Sequence, residues 1–550
     1  MRSLFILIIL FYNILVAGQE KRVVRVIDTS EVQQEMVLHI APGKDVEKAL
    51  LHKINRKGFI NPSLGESRMK EDTLSYKAKL GKQYSYLRLG TSSIDTDMEL
   101  DEAVIIKIDA YEKFVKDLLD KLSVKGQVFS KVQLEALAIA NDSTLSGELK
   151  IERSLERKIT AIKVKGYNDF PESFFKYYLD LEESDIFNRE SIIKRAKGID
   201  ELGFVRQTKE PQVQFTRDST LLYMYLEKQK SNRFEGFLGF TNDDQQDLQL
   251  NGDLDLRLVN NFNFGESFDL RYKNNGSDQE QFSVGAELPY LLSTPISLEL
   301  GLDFFRQDST FSTSSQDIKV KYQLSRQWLI KTGAIFNRST SLQDEQSFVL
   351  DTSVVDYRSN RYMIGSSFHL PTSIKTSLPI KNGIDLEASA GNRKLLDLPD
   401  DQEPNMRQFT LKLDNQWYIP VNKRQFIYLG NFNRWLLSDN YVTNELFRFG
   451  GMKNIRGFSE NSLFADLYAV LQTEYRYILS SDLFVHSVLD LSYYQEQLNN
   501  IEQDLYSIGL GIGLKTQGGT LRLILANGNQ TGRSVQFDQT QFHIRFSSLF

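Results

Sequence analysis

From about Phe234 to the C-terminus, apolar and polar residues alternate with a period of two. In ISLELGLDF, Ile296, Leu298, Leu300, Leu302 and Phe304 take one face, and Ser297, Glu299, Gly301 and Asp303 take the other. Ile318, Val320, Tyr322 and Leu324 repeat the pattern. Tyr506, Ile508, Leu510, Ile512 and Leu514 stand opposite Ser507, Gly509, Gly511 and Gly513. Strict alternation predicts β-strands with one apolar face. The region holds 317 residues. At roughly 20 residues per strand and connection it predicts about 16 strands, an even number as transmembrane barrels have.

Upstream, the period is helical. DVEKALLHKINRKGF (45–59), YEKFVKDLLDKLSVKGQVF (111–129) and RESIIKRAKGIDELGF (189–204) each read as a helix ending at a glycine near an aromatic residue. Val115, Leu118, Leu119 and Leu122 form one apolar stripe. Gly58, Gly126 and Gly203 suit the left-handed position that closes a helix. Their regular spacing predicts three related modules. The third reads most clearly. A strand at Lys158–Gly166 is followed by a helix opening at Phe170–Ser173, a second helix at Arg189–Leu202, and strands around Val213–Phe215 and Leu222–Leu226. Its order is β-α-α-β-β.

Arg2 precedes the apolar run LFILIILFYNI, and Ala17-Gly18 follow. This predicts a cleaved export signal over residues 1–18, the run being short for a spanning helix. An exported chain with alternating strands is either a soluble sandwich or a membrane barrel, since barrel strands escape hydropathy scans. The mean hydropathy is −0.35. Plentiful aromatics near segment ends and the terminal FHIRFSSLF, with Phe542, Ile544, Phe546 and Phe550 spaced for one side, favour the barrel.

There is no cysteine, and there are five histidines. No H-E-x-x-H, Walker A or G-x-S-x-G motif occurs, so no enzyme, metal site or cofactor is expected. A net charge of −6 argues against bulk nucleic-acid binding.

One loop stands out: GGMKNIRGFSEN, residues 450–461. If it folds into a barrel lumen, Arg456 needs a carboxylate, because a lone buried charge is costly. In YAVLQTEYRYIL, Glu474 shares the polar face with Gln472 and Arg476. In FVHSVLDLSYY, Asp490 shares it with His486 and Ser492. Both carboxylates are candidates for Arg456.

The sequence Ile455-Arg456-Gly457-Phe458, the carboxylate-bearing strands after it and the upstream β-α-α-β-β module together resemble the BamA/TamA-type outer-membrane assembly factor superfamily. SIGLGIGLKTQGGTLRLILANG, residues 507–528, resembles its penultimate strands. The resemblance implies N-terminal α+β POTRA-like modules followed by a transmembrane antiparallel β-barrel. The expected boundaries are a signal peptide (1–18), two POTRA-like modules (19–95 and 96–155), a POTRA domain (156–230) and the barrel (231–550).

It also implies an assembly and insertion factor in the bacterial outer membrane, with its modules in the periplasm. Its partners would be unfolded outer-membrane proteins, outer-membrane lipid and accessory periplasmic or lipoprotein subunits, with no nucleic acid. Modules of this kind can accept an extended client along a free strand edge. Clients would insert at a lateral seam between the first strand, FEGFLGFT with Phe234, Gly236 and Gly239, and the last strand, with Phe542, Ile544, Phe546 and Phe550. The alternative is a translocator of the two-partner secretion type, which threads an exoprotein outward. Such members commonly carry a plug helix and two POTRA domains. Three modules and a QEKRVVRVIDTSEV start favour the insertion factor. A passive porin leaves the modules and the loop unexplained.

Overall fold

The computed structural model describes residues 22–28, 35–40, 46–70, 73–91, 102–242, 248–274, 279–343, 353–370, 382–396, 405–516, 518–532 and 540–550. The expected signal peptide lies outside them. The chain forms two compact units.

The first unit holds two small sheets, each covered by one helix. β1 (Arg22–Asp28), β2 (Glu35–Ile40), α1 (Val46–Arg56), β3 (Ser63–Lys70) and β4 (Thr73–Lys79) give the sheet order β2-β1-β4-β3. Val24, Val26 and Tyr76 of this sheet bury Leu50 and Ile54 of α1. β5 (Tyr86–Gly90), β6 (Ala103–Lys107), α2 (Tyr111–Val124), β7 (Lys131–Ile139) and β8 (Thr144–Glu152) repeat the path with the order β6-β5-β8-β7. Leu118 and Leu122 of the predicted stripe pack on Leu87, Leu89, Leu145 and Leu149. β5 lies upstream of the expected boundary at 95/96, yet pairs with β6 and β8. Its alternating Leu87 and Leu89 close the second core, not the first. Both modules carry a second strand where the third carries its first helix.

The second unit contains the third module and the barrel. β9 (Ala161–Lys165), α3 (Ser173–Tyr177), α4 (Arg189–Ala196), β10 (Val205–Phe215) and β11 (Thr220–Lys228) follow the β-α-α-β-β order, with the sheet β10-β11-β9. The predicted closing glycines all have positive φ: Gly58 +90°, Gly126 +76° and Gly203 +76°.

The barrel strands are β12 (Arg233–Asn242), β13 (Leu248–Val259), β14 (Ser267–Asn274), β15 (Gln279–Leu288), β16 (Ile296–Gln307), β17 (Phe311–Gln323), β18 (Trp328–Ser341), β19 (Tyr357–Leu370), β20 (Asn382–Leu395), β21 (Asn405–Pro420) and β22 (Gln425–Ser438). A short hairpin, β23 (Phe447–Phe449) and β24 (Leu463–Ala465), interrupts them. β25 (Leu467–Ile478), β26 (Leu483–Glu496), β27 (Ile501–Lys515), β28 (Thr520–Gln530) and β29 (Gln541–Leu549) complete a closed antiparallel barrel of 16 strands. Apolar side chains such as Ile508 (59% exposed) and Leu510 (71%) face out, while Gln472, Glu474 and Asp490 are buried inside. That is the inverse of a soluble sandwich and suits a lipid-facing wall. Among the described residues no helix is long and apolar enough to cross a membrane. The barrel is of the kind that crosses a membrane with strands.

The third module meets the barrel's turns on its own side. Phe174 sits edge-on against Tyr290 at 4.8 Å between ring centres. The Tyr167 hydroxyl donates to Asn263 Oδ1 (2.7 Å) and accepts from Asn260 Nδ2 (2.8 Å). Arg326 Nε stands 3.6 Å from Glu201. These contacts mark the turns 260–266, 289–295 and 324–327 as the periplasmic end.

The barrel closes weakly between its first and last strands. Among the described residues, β12 pairs with β29 over Arg233↔Leu549, Phe234↔Ser548 and Glu235↔Ser547 only. By contrast, β12 has ten pairs with β13, and β28 has seven with β29. The Phe550 amide adds one bond to the Asn232 carbonyl at 3.0 Å. Pairing stops at Gly236, whose φ of +141° suits glycine. Gly239, Phe542, Ile544 and Phe546 lie on the two strands beyond the paired stretch.

Cysteines introduced by Phe234→Cys and Ser548→Cys, directly opposite and outward in this native cysteine-free chain, are expected to form a disulfide readily. A Gly239→Cys, Phe546→Cys pair lies off register and is expected to stay reduced. A non-reducing gel after mild oxidation distinguishes the two.

Candidate functional site: the loop tip and its lumen cluster

The chain between β22 and β25 folds back into the lumen. Its hairpin places Phe449 flat on Tyr468, with 4.5 Å between ring centres, and near Tyr494 at 5.5 Å. Ile455 is fully buried in the same cluster with Val470 and Leu505. Burial of this apolar patch seats the loop tip, and the polar groups of the tip then need partners.

Arg456 finds them. Its backbone N–H donates to Asp490 Oδ2 at 3.0 Å, and its Nε donates to the same oxygen at 2.8 Å. One terminal nitrogen donates to Asp490 Oδ1 and the other to Glu474 Oε1. Arg456 is 2% exposed, Glu474 3% and Asp490 0%. The structure thus brings together all three residues that the sequence proposed. The guanidinium fork grips Asp490 with two parallel bonds, which a lysine cannot imitate.

Two further arginines and a histidine surround Glu474, and inward parity alone does not identify them as its partners. Arg476 Nε contacts Glu474 Oε2 at 2.5 Å and lies over the rings of Tyr418 (4.9 Å) and Tyr428 (5.3 Å). Arg522 Nη2 is 3.5 Å from Glu474, and His486 Nδ1 is 3.6 Å away. Glu474 is therefore a hub, whereas Asp490 relies on Arg456 for its two charged bonds.

Backbone contacts complete the seat. Gln472 donates to the Asn454 carbonyl. The Gly457 N–H donates to His543 Nε2 on β29 at 3.3 Å. Gly457 has φ +83°, and a Cβ there would lie 2.5 Å from the backbone nitrogen of Gly528. Phe458 covers Gly528 in turn, where a Cβ would fall 2.6 Å from its ring. This two-glycine notch lets the loop backbone lie directly on β28.

The other side of the loop reaches the opposite flank of the seam. Lys453 Nζ is 3.8 Å from Asp255 on β13, and Glu460 is 3.4 Å from Lys273 on β14. The Arg448 guanidinium lies 3.6 Å from the centre of the Phe305 ring on β16. The loop therefore straddles the β12–β29 seam. Glu235 and Arg545 pair across the seam itself at 2.5 Å. A cavity of about 330 Å³, lined in part by Gly236, Asp253, Lys453, Ile544 and Phe546, lies where the two edge strands part.

The model of the haemolysin secretion/activation proteins ShlB/FhaC/HecB matches residues 223–516, more than half of the chain. The chain belongs to this family. No curated protein sequence matches the chain. Among solved structures it resembles CdiB from Escherichia coli, with a TM-score of 0.52, 13% identity, and coverage of 92% of this chain and 97% of that one. It also resembles CdiB from Acinetobacter baumannii, with 0.51, 14%, 81% and 83%. BamA from Haemophilus ducreyi lacking POTRA domains 1–3 gives 0.48, 12%, 85% and 100%. At such identities the two CdiB structures speak to the fold alone. Membership in the BamA/TamA-type superfamily expected from the sequence stands, and within it the family is that of the secretion proteins.

Arg456→Ala leaves Asp490 buried without its cation and is expected to destabilise the folded barrel by about 3–5 kcal/mol. Thermal melts in detergent micelles measure it. Arg456→Ala combined with Asp490→Ala is expected to lose less than the sum of the two single changes. Gly457→Ala, which forces a methyl group against β28, is expected to cost about 1–3 kcal/mol. A melt unchanged from wild type would show that the notch has room.

Proposed function

We propose that this protein is the outer-membrane transporter of a two-partner secretion pair, passing an unfolded exoprotein from periplasm to exterior. The observation that carries the reading is the secretion-family match over residues 223–516. It starts within β11, the last strand of the third module, and covers 14 of the 16 barrel strands, so the number of modules, which favoured an insertion factor, does not bear on it. The modules would hold the exoprotein extended at the periplasmic mouth. The loop seated on Glu474 and Asp490 would close the lumen at rest, and export would require it to leave. No nucleotide motif is present in the sequence. Folding of the exoprotein outside would draw it forward, because removal of the unfolded form shifts the equilibrium.

The short seam favours a second reading, lateral insertion of client strands, since an unpaired strand edge is tolerated in lipid only while another strand takes it up. Locking the seam separates the two. With the Phe234→Cys, Ser548→Cys pair oxidised, liposomes holding the full chain are expected still to take up an unfolded exoprotein carrying a secretion signal. Folding of a urea-unfolded model barrel is expected to run no faster than in protein-free liposomes, locked or unlocked. Faster barrel folding that the lock abolishes would overturn transport in favour of insertion.

A further inference from the structure

The outer face of the barrel carries a row of cations that the loop site does not use. Arg338 of β18 lies directly opposite Arg358 of β19, and Arg358 directly opposite Lys394 of β20. Arg407 of β21 stands two residues along, against Asn392. Their chain neighbours Ser339, Ser359, Arg393 and Gln408 are buried in the lumen. The four cations therefore face outward, and all four are exposed.

Their height is informative. Ten residues separate Arg338 from Trp328, Arg358 from Phe368, and Lys394 from Ile384. At about 3.4 Å per residue and a strand tilt near 40°, that is roughly 26 Å along the barrel axis, the height of a barrel's apolar band. The face between is largely apolar, with Phe336, Tyr362, Ile364 and Leu386 exposed on it and Asn360 and Asn392 near the cation end. Trp328 follows the turn whose Arg326 contacts Glu201 of the third module, so it marks the periplasmic side. The cations stand at the opposite headgroup level. This face is also far from the seam, since β18 to β21 are the seventh to tenth of the 16 strands.

Like charges directly opposite one another on neighbouring strands repel. The Arg338–Arg358 pair is favourable where an anion lies across it, and arginine forks match phosphate oxygens in pairs. We propose that Arg338, Arg358 and Arg407 bind the phosphorylated headgroup of an outer-leaflet glycolipid of the lipid A class, whose acyl chains lie along the largely apolar face below. The bound lipid would hold this wall while the seam side moves.

The test is native mass spectrometry of the delipidated full chain with four probes: phosphorylated lipid A, dephosphorylated lipid A, phosphatidylglycerol and inorganic phosphate. Phosphorylated lipid A is expected to be retained selectively. The R338S/R358S double variant is expected to hold it about thirtyfold less tightly, as for two cations lost beside an anionic surface. Equal retention of the dephosphorylated lipid or of phosphatidylglycerol would overturn the proposal. So would displacement by inorganic phosphate alone, or unchanged binding in the variant. If the variant fails to fold, as read by its heat-modifiable mobility, the comparison of the two lipid A forms on the wild-type chain decides the matter.

Discussion

An arginine buried between two carboxylates fixes where the loop can be. Removing Arg456, Glu474 and Asp490 from water is expensive, and the expense is offset only while all three meet in good geometry. The cluster therefore behaves as a two-position device. With the loop in the lumen these three charges are paired. A half-withdrawn loop leaves Asp490 desolvated and uncompensated. Water must reach the site before the loop can leave, so such a seat favours all-or-none release over gradual sliding.

The same loop joins the two flanks of the weakest joint in the wall. On one flank it is held by β25, β26 and β28, and it touches β29 through His543. On the other it reaches β13, β14 and β16. Three residue pairs of β12 and β29, the Phe550–Asn232 backbone bond and the Glu235–Arg545 ion pair close the gap between. Movement of the loop therefore changes the support of the seam as well as the bore of the lumen, and the two consequences are mechanically coupled. A secretion protein can use the lumen while the same architecture in an assembly factor uses the seam. The fold alone does not choose between them, which is why the family match carries the functional reading.

Much of this was legible in the sequence, because a barrel writes its geometry into residue parity. Strict alternation gave the strands, and parity placed Glu474 and Asp490 on the inner wall. The loop's Arg456 could then be assigned to them. What parity cannot supply is distance around the wall. Arg522 reaches Glu474 from β28, three strands away from β25, and the inward curvature of the wall brings them near. The notch between Gly457 and Gly528 depends on the same non-local meeting. The seam strands were identifiable as first and last, but their register was not. Gly239 and Phe546 therefore fall outside the paired stretch. In the first two modules one helix was clear, while the short strands β2 and β6 carry too few residues to signal themselves. The single-helix path consequently appeared only in the structure.

The central proposal is that the Arg456 cluster keeps the lumen shut, so that releasing it opens the lumen even when the seam is locked. Single-channel conductance in planar bilayers tests it, comparing the seam-locked chain with the seam-locked chain that also carries Arg456→Ala. The account predicts small conductance for the first and large, persistent openings for the second. Equal conductance in the two, with both barrels folded and the disulfide formed, would contradict it.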